Sequence, residues 1–94
     1  MYKEIYEEIW DELEGAEHYA KKAVAHKADH PEIAKLYYDM ANQEMAHSVM
    51  LGDEVARMMK THPVSDTEKA VHDFVRDMQT AMASKVKHHL SQYK

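Results

Sequence analysis

The chain is short, acidic and free of cysteine, and these properties exclude several classes of protein. Its 94 residues are 45% hydrophobic and include only two Gly and two Pro, which allows one small domain and favours helices over sheets. The absence of Cys excludes disulfides, iron–sulfur clusters and thiolate zinc sites, and the formal charge of −5 disfavours nonspecific binding to nucleic acid or anionic lipid.

Two prolines divide the chain into three predicted helices, because proline fits the first turn of a helix but not its interior. Ser65 and Glu68 form a capping box that starts the third helix. The first connection is so short that helices one and two should lie antiparallel as a hairpin. We therefore predict a single all-helical domain over residues 1–94. The expected helices cover about residues 2–26, 31–60 and 66–92.

The first predicted helix carries an acidic residue within its apolar stripe. At about 100° per residue, Glu12 falls inside the apolar arc, whereas Glu14 and Glu17 point elsewhere. Glu12 is thus the carboxylate of this helix that we expect to face helix two. Gly15 costs about 1 kcal/mol inside a helix, which predicts a compensating close approach of a helix or a second chain. The stripe comprises Ile5, Ile9, Ala16, Tyr19, Ala20 and Ala23.

The second predicted helix contains a Glu-x-x-His pair, with Glu44 inside the apolar stripe and His47 at its edge. A carboxylate that faces a core is costly unless it is protonated, paired with a cationic side chain or bound to a cation. Metal binding is our leading interpretation. A protonated or ion-paired Glu44 with an interfacial His47 is the alternative. The stripe comprises Ile33, Tyr37, Met40, Leu51, Val55 and Met58.

The third predicted helix has an apolar face but no Glu-x-x-His. Its nearest equivalent, Glu68 and His72, is spaced i,i+4. Trp10 of helix one lies outside the stripe of that helix, so we expect the indole to cover helix three or a partner surface. The apolar face of helix three comprises Val71, Phe74, Val75, Met78, Met82 and Val86.

Three segments, Glu12–Tyr19, Pro31–Ile33 and Gln43–His47, together resemble the ferritin-like superfamily. The similarity is closest to the short rubrerythrin-like and encapsulated-ferritin chains, which carry one Glu…Glu-x-x-His half-site per polypeptide. It extends over just over half of the chain. The resemblance implies that Glu12, Glu44 and His47 are metal ligands and that Tyr19 neighbours the site.

The resemblance also implies a partner, because one chain supplies only half of the usual six ligands. A homodimer, or a higher even oligomer, would complete a four-helix bundle around two ions, most simply iron, with manganese or zinc as alternatives. The implied activity is ferroxidase-type or peroxidase-type oxidation of Fe(II) by oxygen or peroxide. The competing hypothesis is a helical interaction or scaffold protein that retains the ferritin-like architecture without catalysis.

The sequence also predicts which environments the protein avoids. No segment is apolar for long enough to span a bilayer, and charged residues interrupt the N-terminus where a signal peptide would need an apolar stretch. We therefore expect a cytoplasmic protein without nucleic-acid or membrane partners.

Overall fold

Helices account for most of the protein in the computed structural model, which describes residues 2–94. Three helices and no strand occur in this range, so the prediction of an all-helical chain is confirmed. Each helix end lies within one residue of its predicted position. Met1, which the predicted domain includes, lies outside the described residues. The helices are α1, Lys3–His26; α2, Pro31–Thr61; and α3, Asp66–Tyr93.

Local sequence explains where α2 and α3 begin. Pro31 occupies the first turn of α2, where its missing amide hydrogen is tolerated. At the start of α3 the hydroxyl oxygen of Ser65 accepts a hydrogen bond of 3.1 Å from the backbone amide of Glu68, which is one half of the predicted capping box. Pro63 lies in the non-helical link between α2 and α3 and prevents their fusion.

The three helices run up, down and up along one long axis. Residues 27–30 join α1 to α2, and the two helices are still in contact at Glu12 and His47, so they form the predicted antiparallel hairpin. Helix α3 lies parallel to α1, with Lys85 at 3.2 Å from Glu17. The resulting rod measures 52 × 17 × 16 Å. Within residues 2–94, no helix has the length and apolar character needed to cross a membrane.

Small side chains form the centre of the core. Ala16 and Ala20 of α1 are buried against Ala41 of α2, and Val86 and Leu90 of α3 complete this cluster. Alanine favours the helix and leaves room for neighbouring helices to approach closely. Because each alanine buries little apolar surface, the core is modest for the length of the helices.

The core-facing stripes of α2 and α3 differ from the predicted ones. Val55 and Val86 are buried as expected, but Ile33, Val71 and Phe74 are exposed. Large apolar residues on α2 and α3 occupy more than one face, and close packing selects the face that bears the small residues. The buried residues of α2 are Ala34, Ala41, Ser48, Gly52 and Val55, and those of α3 are Gln79, Val86 and Leu90.

A polar network crosses the α2–α3 contact beside Gly52. The amide nitrogen of buried Gln79 donates to the carbonyl of Ser48 at 2.7 Å, and its oxygen accepts from the guanidinium of Arg76 at 2.9 Å. Arg76 also donates to the carboxylate of Asp53 at 2.7 Å. A Cβ at position 52 would come closest to Nη1 of Arg76 and would lie 2.7 Å and 2.9 Å from the amide oxygen and nitrogen of Gln79, so a side chain at this position would displace the network.

Gly52→Ala should therefore destabilise the fold, although alanine is the better helix former. Disrupting the hydrogen bonds of the buried amide costs about 1–3 kcal/mol, and the higher helix propensity of alanine offsets about 1 kcal/mol of this. We therefore expect the free energy of unfolding, measured by urea denaturation, to fall by about 1 kcal/mol. In an Arg76→Ala, Gln79→Ala background the same substitution should cost less, since the guanidinium and the amide that obstruct the Cβ are both gone. An equal loss in both backgrounds would contradict this account.

Candidate functional site

The three predicted ligands lie together on one face of the α1–α2 hairpin. Oε2 of Glu12 is 3.4 Å from Nδ1 of His47, and the side chain of Glu44 shares a hydrogen bond with Glu12. Glu17, which contacts α3, lies roughly 140° around α1 from Glu12. The cluster is therefore on the side of the hairpin that α3 does not cover.

Gly15 explains how Glu44 comes so close to α1. A Cβ at Gly15 would be 3.0 Å from Oε2 of Glu44, which is tighter than ordinary van der Waals contact. The carboxyl group of Glu44 thus occupies the space that a side chain at position 15 would take. The predicted close approach at Gly15 is confirmed, and the approaching group belongs to the candidate site.

The pKa of Glu44 is raised towards neutral pH by the closeness of Glu12. The hydrogen bond with Glu12, burial and repulsion by the Glu12 carboxylate together raise the pKa of Glu44 to about 7, while His47 acts in the opposite direction. The sequence predicted an inward-facing Glu44 and left protonation and metal binding as alternatives. Protonation and metal binding would exclude each other here, because a divalent cation between the two carboxylates would take the place of the proton.

One oxygen of the pair is a buried acceptor without a hydrogen bond from the described residues. Oε2 of Glu12 has no hydrogen-bond partner among residues 2–94, and His47 Nδ1 lies 3.4 Å from it. Buried acceptor oxygens are rarely left without a partner. Carboxylate oxygens with an imidazole nitrogen beside them form a donor set that suits Fe(II), Mn(II) or Zn(II).

One chain does not complete a metal site. Across the described residues, no group of three or more His, Cys, Asp or Glu side chains is arranged to hold an ion. The side chains of His47 and Glu12 are 54% and 27% exposed, so both can still be reached from outside the hairpin. The structure therefore brings three potential donor side chains onto one open surface without forming a metal site within the described residues.

Tyr19 lies on the same side of the hairpin, where it contacts other aromatic rings. Its ring stacks on Tyr37 at 5.8 Å, and Tyr37 in turn stacks on His26 at 5.9 Å. This row leads from the middle of the hairpin towards the α1–α2 connection. A role for Tyr19 beside the metal ligands stays a prediction.

Exposed apolar side chains on α2 share the helix face of His47. Ile33, Leu36 and Met50 are exposed, and together with His47 they fall within an arc of roughly 100° around the helix. Ile33 belongs to the predicted core stripe of α2, so its exposure differs from the prediction. The structure instead gives α2 a second apolar face, which no part of the described chain covers.

Comparison of the chain with protein-family models, with curated proteins and with solved structures finds no match. The resemblance to the ferritin-like superfamily therefore depends on the motifs of this chain and on the meeting of Glu12, Glu44 and His47 described above.

The raised pKa of Glu44 predicts a specific pH dependence for the metal-free protein. Between the ordinary value of 4.5 and about 7 the folded state holds a proton that the unfolded state releases, so Glu44 destabilises the fold increasingly as pH rises through this interval. Glu44→Gln removes the titration, and the variant should gain stability relative to wild type between pH 5 and pH 8.

Urea denaturation in the presence of a chelator measures this difference. Glu54→Gln is the matched control, because Arg57 lowers the pKa of Glu54 and that carboxylate is already ionised throughout the range. If the stability difference between the wild type and Glu44→Gln were independent of pH, the proton would not be shared in solution.

Proposed function

We propose that two copies of this chain face each other across the uncovered side of the hairpin and hold two divalent metal ions, iron or manganese, at a shared carboxylate site. Each chain would contribute Glu12, Glu44 and His47, as the resemblance to ferritin-like proteins implies. The observation that supports this most directly is the proton-sharing Glu12–Glu44 pair, with an imidazole beside it on an open face.

Charge balance favours two chains over one. Two divalent ions carry four positive charges, which the four carboxylates of a dimer neutralise, while two imidazoles add neutral nitrogen donors. To bind a cation, Glu44 must give up to solvent the proton that it shares with Glu12. Metal affinity should therefore rise with pH up to about 7 and level off above it.

Three exposed apolar residues of α2, which we call the apolar rim, would favour docking of a second copy: Ile33, Leu36 and Met50. A twofold axis brings the same surface patch of each chain together. Met50, about one turn from His47, would be buried beside the ligands, whereas Ile33 and Leu36, roughly 21 Å and 16 Å along α2 from His47, would meet other parts of the partner's surface. Burying apolar surface contributes about 25 cal/mol per Å². The two hairpins would then form a four-helix bundle in which His47 and Glu12 are no longer exposed to water.

The reaction that we propose is oxidation of Fe(II), in which each ion loses one electron to oxygen or a peroxide. When bound, such ions supply redox chemistry that no side chain of this protein provides. Glu12 and Glu44 would hold the oxidised ions through hard carboxylate oxygens, and His47 would donate a neutral nitrogen.

A second candidate function is a non-catalytic interaction protein that uses the same face. The exposed apolar side chains of α2 favour this alternative, since they would drive pairing whether or not metal is present. The two candidates predict the same dimer and differ in what Glu44 does. For an interaction protein, removing a costly buried carboxylate stabilises the pair or leaves it unchanged.

Elemental analysis combined with molar mass in solution tests the proposal. We expect a dimer with one ion per chain, and Glu44→Ala should lose the metal. The stabilisation that the metal provides, about 2.7 kcal/mol at one hundred times the dissociation constant, should disappear with it. Glu54→Ala, on the same helix but away from the site, should retain both. A metal-free dimer would favour the second candidate, and a metal-free monomer would exclude both.

Gly15→Ala should affect metal binding without destabilising the fold. The added Cβ would displace Oε2 of Glu44 from its place on α1, so we expect metal affinity to fall roughly tenfold, as for other groups that position ligands. The metal-free protein should keep or gain stability, because alanine is the better helix former by about 1 kcal/mol. Isothermal titration and urea denaturation measure the two effects. Unchanged metal affinity would argue against Glu44 as a ligand.

A further inference from the structure

A groove opens between the beginning of α1 and the beginning of α3. Its volume is about 480 Å³, which lies in the range of small-molecule sites, roughly 300–1,000 Å³. Tyr2, Tyr6 and Trp10 line it at i, i+4 and i+8, so they form an aromatic row on one face of α1. Trp10 lies roughly 160° around α1 from Glu12, which separates the groove from the candidate metal site.

The rim of the groove has an excess of negative charge. Glu7, Asp11 and Glu68 are acidic, and Lys3 is the basic residue that lines the groove. Lys3 pairs with Glu7 at 3.9 Å. Over residues 2–94, neither Asp11 nor Glu68 forms an ion pair. Two carboxylates that line the groove therefore have no ion-pair partner in this range, although Lys3 lies on the same rim.

The floor of the groove contains polar groups that the fold does not satisfy. Tyr2 is only 3% exposed, and its hydroxyl has no hydrogen-bond partner in the described part of the chain. The same holds for the hydroxyl of Tyr6, and the Tyr2 and Tyr6 rings are 6.2 Å apart. Two unsatisfied hydroxyl groups along one groove are costly for stability and need another explanation.

We propose that this groove binds a small organic cation, an amine or quaternary ammonium ion that carries an aromatic or branched alkyl group. The faces of Trp10, Tyr2 and Tyr6 attract cations through their ring quadrupoles. Asp11 and Glu68 supply the opposite charge, and Val71 adds apolar contact from α3. The groove selects against anions by charge, and a neutral ligand of the same shape gains only the apolar part of the interaction.

Three probes of similar shape test this selectivity on the full chain. Phenyltrimethylammonium is the cation, tert-butylbenzene is its neutral isostere, and 4-tert-butylbenzoate is an anion with the same bulky group. Trp10 is the only tryptophan of the protein, so its fluorescence reports on the groove directly. We expect the cation to bind roughly tenfold more tightly than the neutral isostere, and the anion not to bind.

Neutral substitutions identify the source of the selectivity. Asp11→Asn and Glu68→Gln should each weaken binding of the cation roughly three- to tenfold and leave binding of tert-butylbenzene unchanged. Glu32→Gln, in the first turn of α2 at the opposite end of the rod, removes the same charge and should leave the affinity for both probes unchanged. Circular dichroism verifies that each variant is folded.

Four results would overturn the proposal. Equal affinity for the cation and its neutral isostere would leave only an apolar groove, and no binding of the cation would remove the site. An equal loss of affinity in Glu32→Gln would indicate general charge attraction. If the Trp10 signal instead depends on protein concentration, a second copy of the chain occupies the groove. None of these results concerns Glu12 and Glu44, so the proposals for the groove and for the metal site can be refuted separately.

Discussion

The contact between the Glu12 and Glu44 carboxyl groups is the constraint on which the rest of the molecule depends. Two carboxylates at hydrogen-bond distance cannot both be ionised at low cost, and this is why the pKa of Glu44 rises to about 7. Packing enforces the contact, because Gly15 and the buried alanines Ala16 and Ala41 bring α1 and α2 close together. The hairpin therefore needs a proton or a cation at its centre. Which of the two it holds determines whether the site is a structural cost or a functional centre.

The arrangement of apolar surface follows from the same close packing. Small residues on α2 satisfy the contact with α1 and α3, and the larger Ile33, Leu36 and Met50 remain on an outer face. A rod 17 Å by 16 Å in section has too few helices to cover both faces of α2. In the proposed dimer, the chain that covers this face would also bring the missing ligands. Burial of the apolar rim and completion of the donor set would then be one event.

Much of the fold could be predicted from sequence, because prolines and the Ser65 cap mark helix ends directly. Glu12 could be located as well, since helical periodicity places it within the apolar arc of α1. The face of α2 that packs into the core could not be predicted. Periodicity shows that Ile33 is on an apolar face but not which of two apolar faces a neighbour covers. The shared proton and the amide network of Gln79 depend on distances of a few tenths of an ångström, which periodicity does not determine.

Asp11 and Glu12 show how neighbouring carboxylates acquire different chemistry. They are adjacent in sequence, and helical geometry separates them by roughly 100°, so each meets different side chains. Glu12 meets Glu44 and an imidazole, a donor set of hard oxygen and borderline nitrogen that favours a transition-metal ion. Asp11 lines a groove of aromatic rings, whose faces attract diffuse organic charge and offer no ligand to a small, strongly hydrated ion. The charge is the same on both sides of α1, and the neighbouring groups decide which cation each face can recognise.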